Sequence, residues 1–230
     1  MTHEAHLSLK QSCRGISLGI FAGDFGNFRS NMQSAAKWGC NVLHFDVMDG
    51  LFVPQMTGGP GFVKALKGEM ILDVHLMVQK PLVHIASYVE AGADIVTIHA
   101  ESEEPVAAFK AIRTAAEKSG RPVMAGISLM PGTSIENIKE LFDLKPDLIL
   151  VLALDPRTSD STDVTKACVR LQEIRTLTAE FSPILAFDGG VTLDTIAEIS
   201  SSSAELVVSG SAVLKSANPS EAFRLMQSAL

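Results

Sequence analysis

Four side chains in this sequence have the types and spacing to hold a cation and move protons beside it. "LHFDVMDG" sets His44 and Asp46 two residues apart. Along a β-strand side chains alternate, so this pair projects to one face. "DVHLMV" supplies His75, and "FDGGV" supplies Asp188 followed by Gly189 and Gly190. Two imidazoles and two carboxylates make a mixed nitrogen and oxygen donor set for one divalent ion, with zinc, manganese, iron and cobalt all suited. Each piece also has a plainer reading. A single strand histidine is more often a hydrogen-bonded core residue, an aspartate before Gly-Gly is a common turn former, and His44 with Asp46 suits a buried polar pair. Joint placement favours the cation, because four donors fall at the ends of three predicted strands.

Two aspartates beside a cation suit acid–base work on opposite faces of one carbon. Loss of a proton next to a carbonyl leaves an enediolate, whose negative oxygen a divalent ion stabilises. If one carboxylate takes that proton and the other returns one from the far side, the centre inverts. Asp46 and Asp188 are the candidate pair. "VSGSAVL" adds Gly210 and Ser211. With Gly189 and Gly190 they could bind an anion through backbone N–H groups, since glycine permits close approach. The plainer reading is two ordinary glycine turns.

The elements that must position these residues are short aliphatic runs alternating with amphipathic ones. Strands are predicted at 16–20, 42–46, 71–76, 95–99, 123–128, 148–152, 184–187 and 206–209. Helical stretches between them include 27–38, 82–91, 104–119, 164–180, 193–199 and 219–230. Gly39 and Gly92 fall where helices should end. Repeated βα units with no break in composition predict a single (β/α)8 TIM barrel over residues 1–230, with 1–14 as an N-terminal extension that packs or is poorly ordered. In that fold chemistry sits at the C-terminal ends of the strands, and phosphate often binds after strands seven and eight. A doubly wound open sheet competes, but the first strand lacks a glycine-rich turn after it.

Composition sets limits. Hydrophobic residues make up 47% and aromatics are scarce, which suits a parallel sheet covered on both faces. The net charge of −7 argues against a nucleic-acid partner but not against a small anion held by local N–H groups. No apolar run approaches the roughly 20 residues of a membrane span, so no membrane association is expected. Cys13, Cys40 and Cys168 lack metal-like spacing and read as reduced thiols of a cytoplasmic protein. His3 and His6 read as solvated, and His99 as a support behind the ligands.

The stretches "HFDVMDGLFVP" (44–54), "LDVHLMVQKP" (72–81), "AGADIVTIHAE" (91–101), "FDGGVT" (187–192) and "SGSAVL" (209–214) resemble the ribulose-phosphate 3-epimerase family, in order over nearly the whole chain. The resemblance implies a divalent metal held by His44, Asp46, His75 and Asp188, and an Asp46/Asp188 acid–base pair. It also implies that Met48 and Met77 line the pocket beside the reacting carbon, where the plainer reading is core filling. It further implies a sugar-phosphate substrate and a homo-oligomer, dimer or larger. The expected reaction is inversion at C3 of a ketose phosphate, ribulose 5-phosphate to xylulose 5-phosphate or a close analogue. A hexulose 6-phosphate such as allulose 6-phosphate is the nearest alternative, followed by a non-catalytic sugar-phosphate-binding barrel. A decarboxylase or lyase is disfavoured because no strand carries Asp-x-Lys-x-x-Asp, and a Schiff-base aldolase because no lysine ends a strand.

Departures from the family pattern cluster around the substrate. Gly19 stands where members carry a serine, Leu51 where they carry a histidine, and Leu152 where they carry a methionine. After strand six, Asp155 replaces an asparagine and Arg157 opens a glycine-free loop where the family has a glycine-rich one. Arg157 either binds the anion as a bidentate donor or is solvated surface.

Overall fold

Eight parallel strands close on themselves in chain order. They are β1 (Gly15–Gly19), β2 (Val42–Met48), β3 (Ile71–Met77), β4 (Ile95–His99), β5 (Met124–Leu129), β6 (Leu148–Leu152), β7 (Ile184–Asp188) and β8 (Leu206–Ser209). This is a (β/α)8 TIM barrel, seen in a computed structural model that describes residues 3–68, 70–158 and 161–230, the side chain of His3 excepted. The helices are α1 (His3–Ser12), α2 (Phe28–Lys37), α3 (Pro60–Leu66), α4 (Ile85–Ala91), α5 (Pro105–Ser119), α6 (Lys139–Asp143), α7 (Val164–Leu177), α8 (Ile196–Ser201), α9 (Ser211–Leu214) and α10 (Pro219–Ser228). No described helix is long and apolar enough to cross a membrane, and the three cysteines are free and buried.

Strand alternation divides the core in two. Leu18, Leu43, Phe45, Val74 and Phe187 face outward into the layer shared with the helices. Val42, Ile95, Met124, Leu148, Ile184 and Leu206 face inward and fill the bottom of the barrel, with Cys13 and Leu9 packed below them. Above that plug the lumen turns polar on one side, where His44, Asp73, His75, Thr97, His99 and Ser128 are buried. β2 and β3 extend further than the sequence suggested because they pair without a break from Val42↔Ile71 to Met48↔Met77. β1 ends sooner than expected, at Gly19, where the chain turns through Ile20–Ala22 as a 3-10 helix.

The N-terminal segment packs, which is one of its two expected states, whereas His6 departs from its reading. Residues 3–12 form α1, and His6 Nε2 lies 2.9 Å from Asp147 Oδ1, whose other oxygen is 3.0 Å from the Arg113 guanidinium. His6 is therefore docked, not solvated. The side chain of His3, also read as solvated, lies outside the described residues.

Candidate active site

β2, β3 and β7 bring the four predicted donors to one place. The β2–β3 register sets Asp46 beside His75, and β7 ends on Asp188. One ligand atom from each of His44, Asp46, His75 and Asp188 lies within 4.8 Å of all the others. Asp46 Oδ1 sits 3.1 Å from His44 Nε2 and 3.3 Å from His75 Nδ1.

The second nitrogen of each imidazole is held from behind. His44 Nδ1 is 2.7 Å from Asp73 Oδ2, which also accepts from the Ser17 hydroxyl at 3.0 Å. His75 Nε2 is 2.8 Å from His99 Nε2, and His99 Nδ1 is 3.0 Å from Glu101 Oε2. One nitrogen facing a cluster and the other bonded to a carboxylate-backed partner is the arrangement of metal-binding histidines. His99 thus stands behind His75, as expected. Asp73, Ser17 and Glu101 were not anticipated. Asp73 precedes His75 by two residues and shares its face, so the alternation that paired His44 with Asp46 could have found it.

Electrostatics separate the two carboxylates. Burial alone would raise Asp46, but His44 and His75 outweigh it and hold the carboxyl well below its usual range. Burial, and then the charge of Asp46, push Asp188 up to about 6. Burial would lower His44, yet Asp73 and Asp46 prevail and hold it well above the ordinary imidazole range. Burial pushes His99 down to about 4, against the pull of Glu101. Two like-charged carboxylates gathered this closely call for a cation or a proton between them, and the nitrogen and oxygen donor set suits a divalent metal.

Over the cluster lies a cavity of about 190 Å³ lined by Asp46, Met48, Met77, Leu152, Leu154, Pro156, Asp188 and Gly189. Met48, Met77 and Leu152 are therefore brought together with the two aspartates. Gly19 is not on that wall. It packs on Gly210, where a Cβ at position 19 would stand 3.2 Å from the Gly210 Cα. Gly210 is crowded in turn, a Cβ there falling 2.8 Å from that of Ala22. The loops after β1 and β8 thus touch through their backbones. Ser211 begins α9 directly after Gly210.

Gly189 and Gly190 follow β7 with φ of 97° and 68°, a left-handed turn that glycine adopts without strain. The loop after β6 leans over it: a Cβ on Gly190 would meet Thr162 Cγ2 at 2.6 Å, and one on Gly189 would meet Leu154 Cδ2 at 3.2 Å. Arg157 is paired within its own loop and with an aromatic ring. Its Nη2 and Nε lie 2.6 and 2.9 Å from the Asp155 carboxylate, and the guanidinium stands 5.9 Å from the centre of the Phe52 ring. Phe52 in turn packs 4.9 Å from His99, which puts Arg157 on the β2–β4 side of the mouth. Leu51 is exposed. Ser159 and Asp160, in the same glycine-free loop, lie outside the described residues.

A TIM barrel whose mouth gathers a histidine–aspartate cluster beneath a small cavity, with glycine turns beside it, is laid out as a small-molecule enzyme. The chain belongs to the Ribulose-phosphate 3 epimerase family, whose sequence model matches residues 15–214. It is similar to the ribulose-phosphate 3-epimerase of Bacillus subtilis, 32% identical over 86% of this chain and 91% of that one. It is 34% identical to that of Mycobacterium bovis over 90% of this chain and 89% of the relative. In fold it is similar to 3-hexulose-6-phosphate synthase from Salmonella typhimurium, with a TM-score of 0.71 at 16% identity, covering 94% of this chain and 98% of that one. The 3-keto-L-gulonate-6-phosphate decarboxylase of Vibrio cholerae gives 0.67 at 16% identity, covering 94% and 96%. These two likenesses concern the barrel alone. The family assigns the chain to the isomerases, as a carbohydrate epimerase acting on a ketose phosphate.

Proposed function

We propose that the protein inverts C3 of ribulose 5-phosphate or a closely similar ketose phosphate, with Asp46 and Asp188 as the acid–base pair. His44, Asp46, His75 and Asp188 are the residues that would hold a divalent ion, zinc before manganese, iron or cobalt. Such an ion supplies positive charge next to the oxygen on which negative charge develops when the C3 proton leaves. The observation that carries the reading is the pair of carboxylates, delivered by non-adjacent strands β2 and β7 to one cavity floor.

Their environments drive the two apart. Asp46 is held ionised by the imidazoles, whereas Asp188 is pushed up to about 6. A base and an acid are distinguished in this way when two carboxyls must exchange roles in one cycle. In the metal-free site Asp46 therefore carries no proton, and Asp188 binds one more readily than a free carboxyl does. Met48, Met77 and Leu152 give the cavity apolar walls, which exclude water from a carbanion-like centre and strengthen the surrounding charges. The backbone N–H groups of Gly189, Gly190, Gly210 and Ser211 are the proposed phosphate contacts, with Thr162 narrowing that end. A cytoplasmic homo-oligomer belongs to the same proposal.

Turnover of a panel of ketose phosphates, with and without a chelator, tests it. Ribulose 5-phosphate should give xylulose 5-phosphate, with loss of activity on chelation and recovery on adding zinc. Failure to invert any ketose phosphate would refute the proposal.

A further inference from the structure

We propose that Glu101 and His99 act as a positioning chain that sets which nitrogen of His75 carries hydrogen. This rests on the reading of His75 as a metal ligand. His75 Nε2 and His99 Nε2 are 2.8 Å apart, so one hydrogen lies between them. Its owner is decided one residue further out. Glu101 offers Oε2 to His99 Nδ1 at 3.0 Å, while its Oε1 accepts from Met130 N–H at 2.9 Å and from the Thr133 hydroxyl. An ionised carboxylate has only lone pairs to give, so the hydrogen between them belongs to His99 Nδ1. A neutral His99 then has a bare Nε2, which accepts from His75 Nε2–H. His75 Nδ1, turned toward the cluster at 3.3 Å from Asp46 Oδ1, is left bare, as a ligand nitrogen must be.

Exchanging one acceptor for a donor at Glu101 would reverse the chain without changing its size. In Glu101→Gln, the Met130 N–H is a fixed donor, so the new amide must turn its oxygen to that side. Its NH2 then faces His99 Nδ1, which becomes an acceptor. The hydrogen of His99 moves to Nε2 and points at His75 Nε2, which must accept in turn. The hydrogen of a neutral His75 then sits on Nδ1 and blocks the nitrogen that faces the cluster. A network that merely filled the lumen would lose stability on this change and leave the tautomers alone.

The experiment records nitrogen-15 spectra of the histidine rings in the full-length parent and in Glu101→Gln, and measures zinc affinity by chelator competition. The expected result is His99 protonated at Nδ1 in the parent and at Nε2 in the variant, with zinc held about 10–100-fold more weakly. His99→Gln, whose amide can accept from His75 and donate to Glu101, should retain most of the parent's affinity, while His99→Leu should not. An unchanged His99 pattern, or zinc bound by Glu101→Gln as tightly as by the parent, overturns the proposal. A parent that binds no zinc contradicts the metal reading instead, and the His99 pattern still decides the positioning chain.

Discussion

His44 Nδ1 and Asp73 Oδ2 lie 2.7 Å apart in the barrel interior, both side chains buried. Because an ionised aspartate only accepts, the hydrogen of this contact belongs to the imidazole. His44 Nε2 is thereby turned to the cluster, and Ser17 holds Asp73 in place. Replacing Asp73 by Asn lets an NH2 compete for that position and should weaken zinc binding about 10–100-fold. Chelator competition checks this, and an affinity equal to the parent's would remove Asp73 from the account.

Zinc binding should release protons and weaken as pH falls. In the metal-free protein His44 is held well above the ordinary imidazole range, chiefly by Asp73 and Asp46 against the effect of burial. Asp188 is raised to about 6 by burial and by Asp46. Both must lose their protons to serve as ligands, so affinity should fall steadily from pH 8 to pH 5.5. Titration calorimetry in two buffers of different ionisation enthalpy measures the release. Identical heats in the two buffers would contradict it.

Asp188→Asn should stabilise the metal-free fold while removing activity. A carboxyl raised from 3.8 to about 6 on folding binds more protons folded than unfolded between those values. Its contribution is complete below the lower value and is lost as pH rises through the upper one. The neutral amide does not titrate, so the variant should melt a few degrees above the parent at pH 8 and level with it near pH 4. Melting curves of chelator-treated protein at the two pH values decide the point, and a variant that melts lower at pH 8 goes against it.

Arg157→Ala should leave KM for the sugar phosphate nearly unchanged. The guanidinium is bidentate to Asp155 and lies over Phe52. A tenfold rise in KM, about 1.4 kcal/mol, would instead place the anion on Arg157.

The barrel and its cluster were legible because both follow the alternation of strands. His44 with Asp46 lies on one face by spacing alone, and the runs of β2, β3 and β7 are long enough to be recognised. Asp73 obeys the same rule, two residues before His75 and on its face. The hydrogen bonds from Ser17 to Asp73 and from Thr133 to Glu101 span 56 and 32 residues, so they depend on barrel closure and leave no local trace. α1 carries Leu7 and Leu9 as its large apolar residues. It is fastened by His6 to a residue 141 positions away, which no periodicity reveals. Arg157 reads in the sequence as an anion donor or as solvated surface, and its pairing with Asp155 depends on a side-chain rotamer that the sequence does not show.

The role of the two carboxylates is tested most directly by nuclear magnetic resonance of ribulose 5-phosphate in deuterium oxide with parent, Asp46→Asn and Asp188→Asn. The parent should replace the C3 hydrogen by deuterium while forming xylulose 5-phosphate. Each variant should lose inversion, and exchange should survive from only one of the two epimers. Inversion by Asp188→Asn at the parent's rate, with deuterium entering both epimers, would contradict the account.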